Sequence, residues 1–226
     1  MANKRRNCMN PNAARSVTLG FRPESKIREI LPTGLASLDA VIDGFPRGEI
    51  SEIIGAESSG RTTLVHSLLA ASTAKLEICA YVDTDDSFDP VSAAAGGVAL
   101  SQLLWIRCNH NAGHALKIAD ALLHAGGFGV VVLDLCQVTP RVANRIPISY
   151  WYRFRRAIEN TPTILTLLEK EPLAKSCASL MLEMKRKNTI WAGAPDFELL
   201  REIELEAVPR KPVRPLTAHF KARAIG

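Results

Sequence analysis

Residues 49–63 read Glu-Ile-Ser-Glu-Ile-Ile-Gly-Ala-Glu-Ser-Ser-Gly-Arg-Thr-Thr, and this stretch decides the fold. Its first six residues, rich in isoleucine, predict a strand, and the residues from 62 to about 74 carry leucines at helical spacing. Between the strand and the helix, Gly55 and Gly60 are spaced as in the phosphate-binding P-loop, G-x-x-x-x-G-K-[ST]. The sequence departs from that pattern at Arg61, where the motif has lysine.

The chemistry of phosphate binding explains the residue types of this loop. Glycines let backbone amides surround phosphate oxygens, and the positive end of the following helix faces the anion. The Thr62 hydroxyl is suited to hold Mg²⁺. Because Arg61 is longer and planar, whereas lysine is a compact charge, we expect nucleotide binding to be retained more readily than fast hydrolysis. The alternative is a glycine–serine turn that joins a strand to a helix by chance.

The rest of the chain alternates strands and helices. Apolar runs that predict buried strands lie at 78–82, 103–106, 130–134 and 163–168, and amphipathic helices separate them. This alternation predicts an α/β fold with a mostly parallel sheet. From residue 178 onward the pattern changes to antiparallel strands with one solvated face. We therefore predict a flexible basic N-terminal arm (1–30), a P-loop core (31–177) and a small β-rich, basic C-terminal extension (178–226).

Acidic residues follow two of the predicted strands. Asp134 ends an apolar strand about 80 residues after the P-loop, where a carboxylate supports Mg²⁺ through water. The segment 81–90 contains four aspartates within seven residues at the carboxyl end of a strand, which is where α/β proteins bind ligands. Asp85 could orient water for attack on a γ-phosphate. The alternative for these acids is helix capping and ordinary loop polarity.

Composition and charge exclude several classes of protein. The 226 residues have a mean hydropathy of +0.04 and no apolar run long enough for a membrane span, and no secretory signal follows the basic N-terminus. The five cysteines form no CxxC pair, so neither a zinc site nor a redox motif is supported. The net charge of +5 is concentrated at both ends, since 207–226 contains bases and no acid. Such ends suit nucleic acid or an acidic partner, or serve solubility alone.

Two smaller clusters have two interpretations each. The segment 151–156, Trp-Tyr-Arg-Phe-Arg-Arg, suits contacts to phosphates and bases, and it also suits an amphipathic helix with aromatics inward and arginines outward, which we favour. Lys185-Arg-Lys187 is either a turn rim or a DNA contact. The pair His110 and His114 lacks a third ligand, so it does not indicate a metal site.

Taken together, these residues resemble the bacterial recombinase family RecA from about residue 31 to residue 140. The P-loop, the segment 81–90 and Asp134 carry the resemblance, which places Asp85 at the position of the catalytic glutamate and Asp89 beside the adenine. Ser92 stands where the family stacks a tyrosine on the base, and Leu168-Glu169 stands where it has an Asn-Gln pair that senses the γ-phosphate. The implied nucleotide-binding residues are Gly55, Glu57, Ser58, Ser59, Gly60, Arg61, Thr62, Thr63 and Asp89, with Mg²⁺ at Thr62 and Asp134.

After residue 140 the likeness shifts. The long glycine-rich DNA-binding loop of RecA is missing after the strand at 163–168, and residues 171–179 lead directly to the next strand. This region is similar to that of the ImuA family, shortened RecA relatives that accompany an error-prone polymerase and a second accessory protein in damage-induced mutagenesis.

The resemblance implies a cytoplasmic ATP-binding accessory factor of error-prone translesion synthesis, with Mg²⁺ as cofactor and weak or absent hydrolysis. Its expected partners are proteins of the polymerase complex and, through the basic ends, single-stranded DNA. An active DNA-dependent ATPase that forms recombinase filaments is the alternative, and a scaffold that no longer binds nucleotide is a third. The sequence does not decide the oligomeric state.

Overall fold

The structure, a computed structural model, describes residues 29–193 and 198–223. The predicted basic arm therefore lies almost wholly outside the described residues. The helices are α1 (Ala36–Ile42), α2 (Arg61–Thr73), α3 (Pro90–Ala95), α4 (Ala112–Ala125), α5 (Pro140–Ala143) and α6 (Ile148–Ile158), with 3-10 turns at Leu100–Gln102 and Lys175–Cys177. The strands are β1 (Ile30–Leu31), β2 (Phe45–Pro46), β3 (Ile50–Gly55), β4 (Ile78–Asp83), β5 (Leu103–Arg107), β6 (Phe128–Asp134), β7 (Ile164–Glu169), β8 (Ala178–Ala192), β9 (Leu199–Lys211) and β10 (Ala218–Arg223).

One eight-stranded sheet organises the described chain, in the order β10-β9-β8-β3-β7-β6-β4-β5. The strands from β8 to β5 in this order pair in parallel, whereas β9 and β10 are antiparallel to their neighbours. The predicted α/β fold with a mostly parallel sheet is therefore confirmed. The C-terminal strands are also present as predicted, and they extend this central sheet because β8 pairs with β3.

Two apolar clusters cover the two faces of the sheet, since successive side chains of a strand point to opposite faces. Leu64, Leu68 and Leu69 of α2 pack on one face with Ile53 of β3 and Leu168 of β7. The opposite cluster is built around α4 and α6, whose buried side chains are Ala115, Leu116, Ala119, Leu123, Trp151, Phe154 and Ile158. Strands β3, β6 and β7 are buried on both faces, as central parallel strands are expected to be.

The helices that hold this sheet begin and end at recognisable signals. Asn111 caps α4 by accepting a hydrogen bond of 2.9 Å from the amide of His114, and Gly126 ends the helix at a φ of 69°. Helix α6 buries Trp151 and Phe154 and exposes Arg155, which confirms the amphipathic interpretation of this segment. None of the helices described here is long and apolar enough to cross a bilayer.

Candidate nucleotide-binding site

The P-loop joins β3 to α2, as the sequence predicts. Gly55 ends β3 at a φ of 152°, and a Cβ there would lie 2.5 Å from the carbonyl oxygen of Met184. Gly60 begins α2 at a φ of 88°, and a Cβ there would collide with the side chain of Leu205 on β9. Both positions therefore require glycine, for backbone conformation and for space. A cavity of about 220 Å³ lies along residues 58–63 and is also lined by Ile203 of β9.

Arg61 is directed across the end of the neighbouring strand. Its side chain is buried, with 7% of the residue exposed, and Nη1 donates a hydrogen bond of 2.5 Å to the main-chain carbonyl oxygen of Glu169. This bond fixes the guanidinium between the P-loop and β7. The cation that replaces the motif lysine thus has a protein partner beside the loop.

Glu169 itself is a buried acid at the end of β7. The residue is 1% exposed, and neither carboxyl oxygen has a hydrogen-bond partner among the described residues. Burial, followed by the negative charge of Glu52 on β3, raises the pKa of Glu169 well above its usual range. An acid in this environment is held in its protonated form to a higher pH than an exposed glutamate.

Glu52 anchors the segment that leaves β7, which we call the strap and define as residues 170–177. Its Oε1 accepts hydrogen bonds from the amides of Leu173 (2.9 Å) and Ala174 (2.5 Å). Desolvation by burial raises the pKa of Glu52, and these hydrogen bonds oppose the shift. The strap thereby runs along the sheet from the carboxyl end of β7 to the amino end of β8.

A second link joins the strap to the P-loop. Lys170 Nζ lies 2.9 Å from Glu57 Oε1, and this hydrogen bond lowers the pKa of Glu57. Both groups are partly exposed, so the pair itself contributes little stability. Together with the bond from Arg61 to Glu169, it connects the loop to the end of β7 and to the first residue of the strap.

Asp134 lies at the end of β6, with Asp83 of β4 as its register partner. Its Oδ2 accepts hydrogen bonds from the hydroxyls of Tyr81 (2.7 Å) and Ser87 (3.2 Å), and its Oδ1 accepts from the amide of Cys136 (2.9 Å). Burial, and then the charge of Asp134, raise the pKa of Tyr81 well above its usual range, so this phenol is a neutral donor. Asp134 is therefore an acceptor oriented by three protein groups, and its support of Mg²⁺ stays a prediction.

The other acids of the segment 81–90 have separate partners. Asp85 Oδ1 lies 3.0 Å from His110 Nδ1, and Asp86 forms two hydrogen bonds with Arg107, which lower the pKa of Asp86. Asp89 caps α3, since it accepts hydrogen bonds from the amides of Val91 and Ser92. Capping is thus a demonstrated role for Asp89, and its contact to a nucleotide stays a prediction.

The structure brings the predicted residues to one end of the sheet. Residues 55–63 form one loop and the first turn of α2, and Asp134 ends β6, separated from β3 by β7 alone. Asp83, which the sequence analysis did not single out, organises the next loop: it is buried and accepts hydrogen bonds from Trp105 Nε1 (3.1 Å) and from the amide of Phe88 (3.0 Å). Its position as the last residue of an apolar strand was the available signal.

Contacts from distant segments complete the site, and sequence reasoning missed them. Leu205 of β9 covers Gly60, and Glu52 looks from sequence like an ordinary solvated acid although it is fully buried. The described residues contain no cluster of three His, Cys, Asp or Glu side chains able to hold a metal. Cys79, Cys108, Cys136 and Cys177 are free thiols, of which Cys79, Cys108 and Cys177 are buried and Cys136 is partly exposed.

Comparisons with known proteins agree with this geometry. The family model of the RecA N-terminal domain matches residues 13–144. The chain is 39% identical to protein RecA of Bifidobacterium longum over 121 residues, which are 53% of this chain and 30% of that protein. It is 43% identical to protein RecA of Brucella anthropi over 116 residues, which are 50% of this chain and 32% of the relative. The match thus spans about a third of the length of these relatives.

A solved structure extends the likeness of the fold beyond the matched sequence. The crystal structure of the RadB recombinase superposes with a TM-score of 0.63 at 18% identity, covering 84% of this chain and 95% of that one. At this identity the likeness concerns the fold alone. It nevertheless covers more of the chain than the sequence match, which ends at residue 144.

Proposed function

Because this chain belongs to the RecA N-terminal domain family, we propose that it is a RecA-like ATP-binding protein of the bacterial DNA damage response with weak or absent ATP hydrolysis. Its relation to RecA connects it with DNA repair and recombination. Within that field, the proposed role is an ImuA-type accessory factor of error-prone translesion synthesis, acting in the cytoplasm. The polymerase and a second accessory protein are its proposed partners.

The observation that carries the proposal is the bond between Arg61 and the Glu169 carbonyl oxygen. A P-loop lysine is a flexible point charge, whereas this guanidinium is buried and already bonded to the protein. Positioned cations and hydrogen-bond donors contribute much of the acceleration of phosphoryl transfer. The resembling family has an amide at the position of Glu169, and the loss of that amide N–H is the second proposed cause of weak hydrolysis.

The loop itself retains what nucleotide binding requires. Gly55 and Gly60 keep the backbone conformation, and the amino end of α2 supports an anion. The proposed Mg²⁺ ligand is the hydroxyl of Thr62, an exposed residue in the first turn of α2, and the proposed support through water is the carboxylate of Asp134 at the end of β6. Mg²⁺ bound there would neutralise phosphate charge. Asp85 is the proposed group for orienting water, and Asp89 the proposed contact near the base.

The strap supports the accessory role over the recombinase. In the resembling recombinases a long glycine-rich loop that binds DNA follows the strand equivalent to β7. Here Glu52 fixes the strap to the sheet through the amides of Leu173 and Ala174. Because these bonds are buried, the strap lacks the freedom of a long loop.

Two measurements test the proposal. Calorimetry with Mg-ATP should show binding at micromolar to millimolar concentration, and steady-state turnover should stay far below that of an active recombinase with or without single-stranded DNA. Strong stimulation of turnover by single-stranded DNA would favour the alternative, a filament-forming recombinase. If the folded protein binds no ATP at millimolar concentration, the remaining interpretation is a scaffold that no longer binds nucleotide.

The accessory role has its own test. Purified chain should form a complex with the error-prone polymerase and its second accessory protein, and omitting the chain should reduce lesion bypass in the reconstituted reaction. If the chain neither associates with these proteins nor affects lesion bypass, the accessory role is rejected. The proposal that the chain binds ATP would still stand.

A further inference from the structure

The basic residues of the C-terminal extension are already engaged within the described chain. Arg210 pairs with Glu183, Lys221 lies 2.7 Å from Glu202, and Arg223 lies 3.9 Å from the same carboxylate. Lys211 Nζ donates to the carbonyl oxygens of residues 175 and 176, and Arg214 donates to the carbonyl oxygen of residue 41. The positive charge of 207–223 is therefore largely compensated by protein groups.

A different surface carries two arginines without such compensation. We call it the basal groove and define it by Tyr152, Arg155, Arg156, Ser176 and Lys211. It consists of two adjoining cavities of about 300 and 250 Å³, both lined by Arg155. The first lies along α6, and the second between α6, the 3-10 turn at Lys175–Cys177 and the ends of β8 and β9.

Within the described part of the chain, the two arginines of the groove form no salt bridge. Arg155 and Arg156 are both exposed, and neither forms an ion pair with any residue of 29–193 or 198–223. On the same helix, Arg153 differs, since its Nε lies 2.8 Å from Asp120 Oδ1. Glu49 and Glu159 also line the groove, so its three cations, Arg155, Arg156 and Lys211, exceed its two acids by one.

The groove also offers a flat apolar surface and hydroxyl groups. The side chain of Tyr152 is exposed, at 52%, between the two arginines and the strap, and its hydroxyl lies 3.5 Å from Ser176 Oγ. Ser179 lines the same cavity as Lys211. Guanidinium groups with hydroxyls bind phosphate oxygens, and an exposed aromatic ring among them stacks on a base.

The position of the groove separates it from the nucleotide site. It lies at the amino ends of β3 and β8, where Glu49 and Ala178 are found, whereas the P-loop follows the carboxyl end of β3. A ligand in the groove therefore would not compete with a nucleotide on the loop. The last two residues of the strap, Ser176 and Cys177, line the groove, and its first residue, Lys170, lies beside the P-loop.

We propose that the basal groove binds the phosphate backbone of single-stranded nucleic acid, with Arg155 and Arg156 on phosphates and Tyr152 stacked on a base. The choice of nucleic acid among anionic partners rests on the proposed function, whereas the presence of two arginines without an ion pair in the groove is independent of it. Phosphate contacts release counterions, so binding falls steeply with salt.

The test compares two double variants that remove the same charge. Arg155→Gln/Arg156→Gln should weaken binding of a labelled oligo-dT by about tenfold at low salt and reduce the salt slope by about 1.4. The control, Arg153→Gln/Arg223→Gln, removes two arginines that already pair with acids and should leave affinity and slope near those of the unchanged protein. Tyr152→Leu should weaken binding without changing the slope, because it removes stacking and no charge.

Three results would contradict nucleic-acid binding in the basal groove. The first is an unchanged affinity for oligo-dT in Arg155→Gln/Arg156→Gln, and the second is an equal loss of that affinity in both double variants. The third is an unchanged protein that binds an acidic peptide and does not bind oligo-dT. Thermal unfolding of each variant shows whether it is folded. Folding should be retained because the substituted arginines are exposed. Calorimetry with Mg-ATP on the same variants should show unchanged nucleotide binding. A protein that binds oligo-dT in the groove but does not bind Mg-ATP would therefore contradict the proposed function and leave the proposal for the groove standing.

Discussion

Arg61 of the P-loop donates a hydrogen bond of 2.5 Å to the main-chain carbonyl oxygen of Glu169, at the end of the adjacent strand β7. The residue that departs from the phosphate-binding motif is thus paired with the residue that departs from the resembling family at the γ-phosphate position. The contact uses the main-chain oxygen of Glu169, so the carboxyl group that departs from the family takes no part in it. The two departures are therefore tested both singly and together.

Restoring both residues should restore turnover more than either change alone. Arg61→Lys returns the compact charge, and Glu169→Gln returns an amide, and each positioned group of this kind is worth about 10²–10³ in rate. We expect the double variant to hydrolyse ATP at least about 100-fold faster than the unchanged chain, measured by phosphate release.

The matched control for this experiment is Arg61→Lys/Glu171→Gln, because Glu171 is an exposed acid two residues further on. Arg61→Lys also frees a buried carbonyl, which should cost about 1–3 kcal/mol of unfolding free energy. If both double variants turn over ATP at the same rate, the carboxyl group of Glu169 does not limit hydrolysis.

Gly60 should tolerate alanine far less than Gly126 does. Both glycines have positive φ, and alanine costs about 1–2 kcal/mol of backbone strain at Gly60 (φ 88°, ψ 13°) and about 1–3 kcal/mol at Gly126 (φ 69°, ψ −172°). Only at Gly60 does the new Cβ meet Leu205, whereas nothing lies within 4 Å at Gly126. Urea unfolding should therefore show a clearly larger loss for Gly60→Ala.

The double variant Gly60→Ala/Leu205→Ala separates collision from strain. Leu205→Ala alone removes a buried side chain and should cost about 2–5 kcal/mol. If Leu205 is the obstacle, the double variant is more stable than the sum of the single losses predicts, because the removed side chain relieves the collision. Strict additivity would show that β9 does not press on the loop.

The buried acid Glu169 should make stability fall as pH rises. Its pKa is raised in the folded protein, so the unfolded chain releases this proton first, near the ordinary value of 4.5. Above that pH the folded state holds more protons, and the free energy of unfolding falls by up to about 1.4 kcal/mol per pH unit until the folded pKa is reached.

Glu169→Gln should therefore increase stability at neutral pH and flatten the profile above pH 4.5, measured by urea unfolding between about pH 4 and 8. Glu171→Gln, at an exposed acid, serves as the control and should leave the profile unchanged. A profile that keeps its slope in Glu169→Gln would assign the pH dependence to other groups, among them Glu52, whose pKa burial also raises.

Asp89 offers a separation of structural and binding roles. Asp89→Ala removes the cap of α3 and should cost about 1 kcal/mol, while Asp89→Ser should restore most of that stability because serine also caps well. If Asp89 contacts the nucleotide as the resemblance implies, both variants bind ATP more weakly in calorimetry. Normal affinity in the stable Asp89→Ser variant would limit this residue to capping.

The sequence by itself determined the local parts of this protein. The strand, glycine loop and helix at 49–74 are coded by short-range spacing, and so are the capped helix α4 and the amphipathic helix α6. Such features depend on residues within a few positions of each other, so the local sequence is enough to predict them. The parallel order of strands followed from their alternation with helices.

The tertiary structure alone decided what these parts contact. The partner of Arg61, the side chain over Gly60 and the strap held by Glu52 all join segments more than one hundred residues apart. Each depends on strand register and on which face of the sheet a residue occupies, and no local pattern specifies these. For the same reason the C-terminal bases, which look free in the sequence, are paired once β9 and β10 align them with acids, and the uncompensated charge lies on α6 instead.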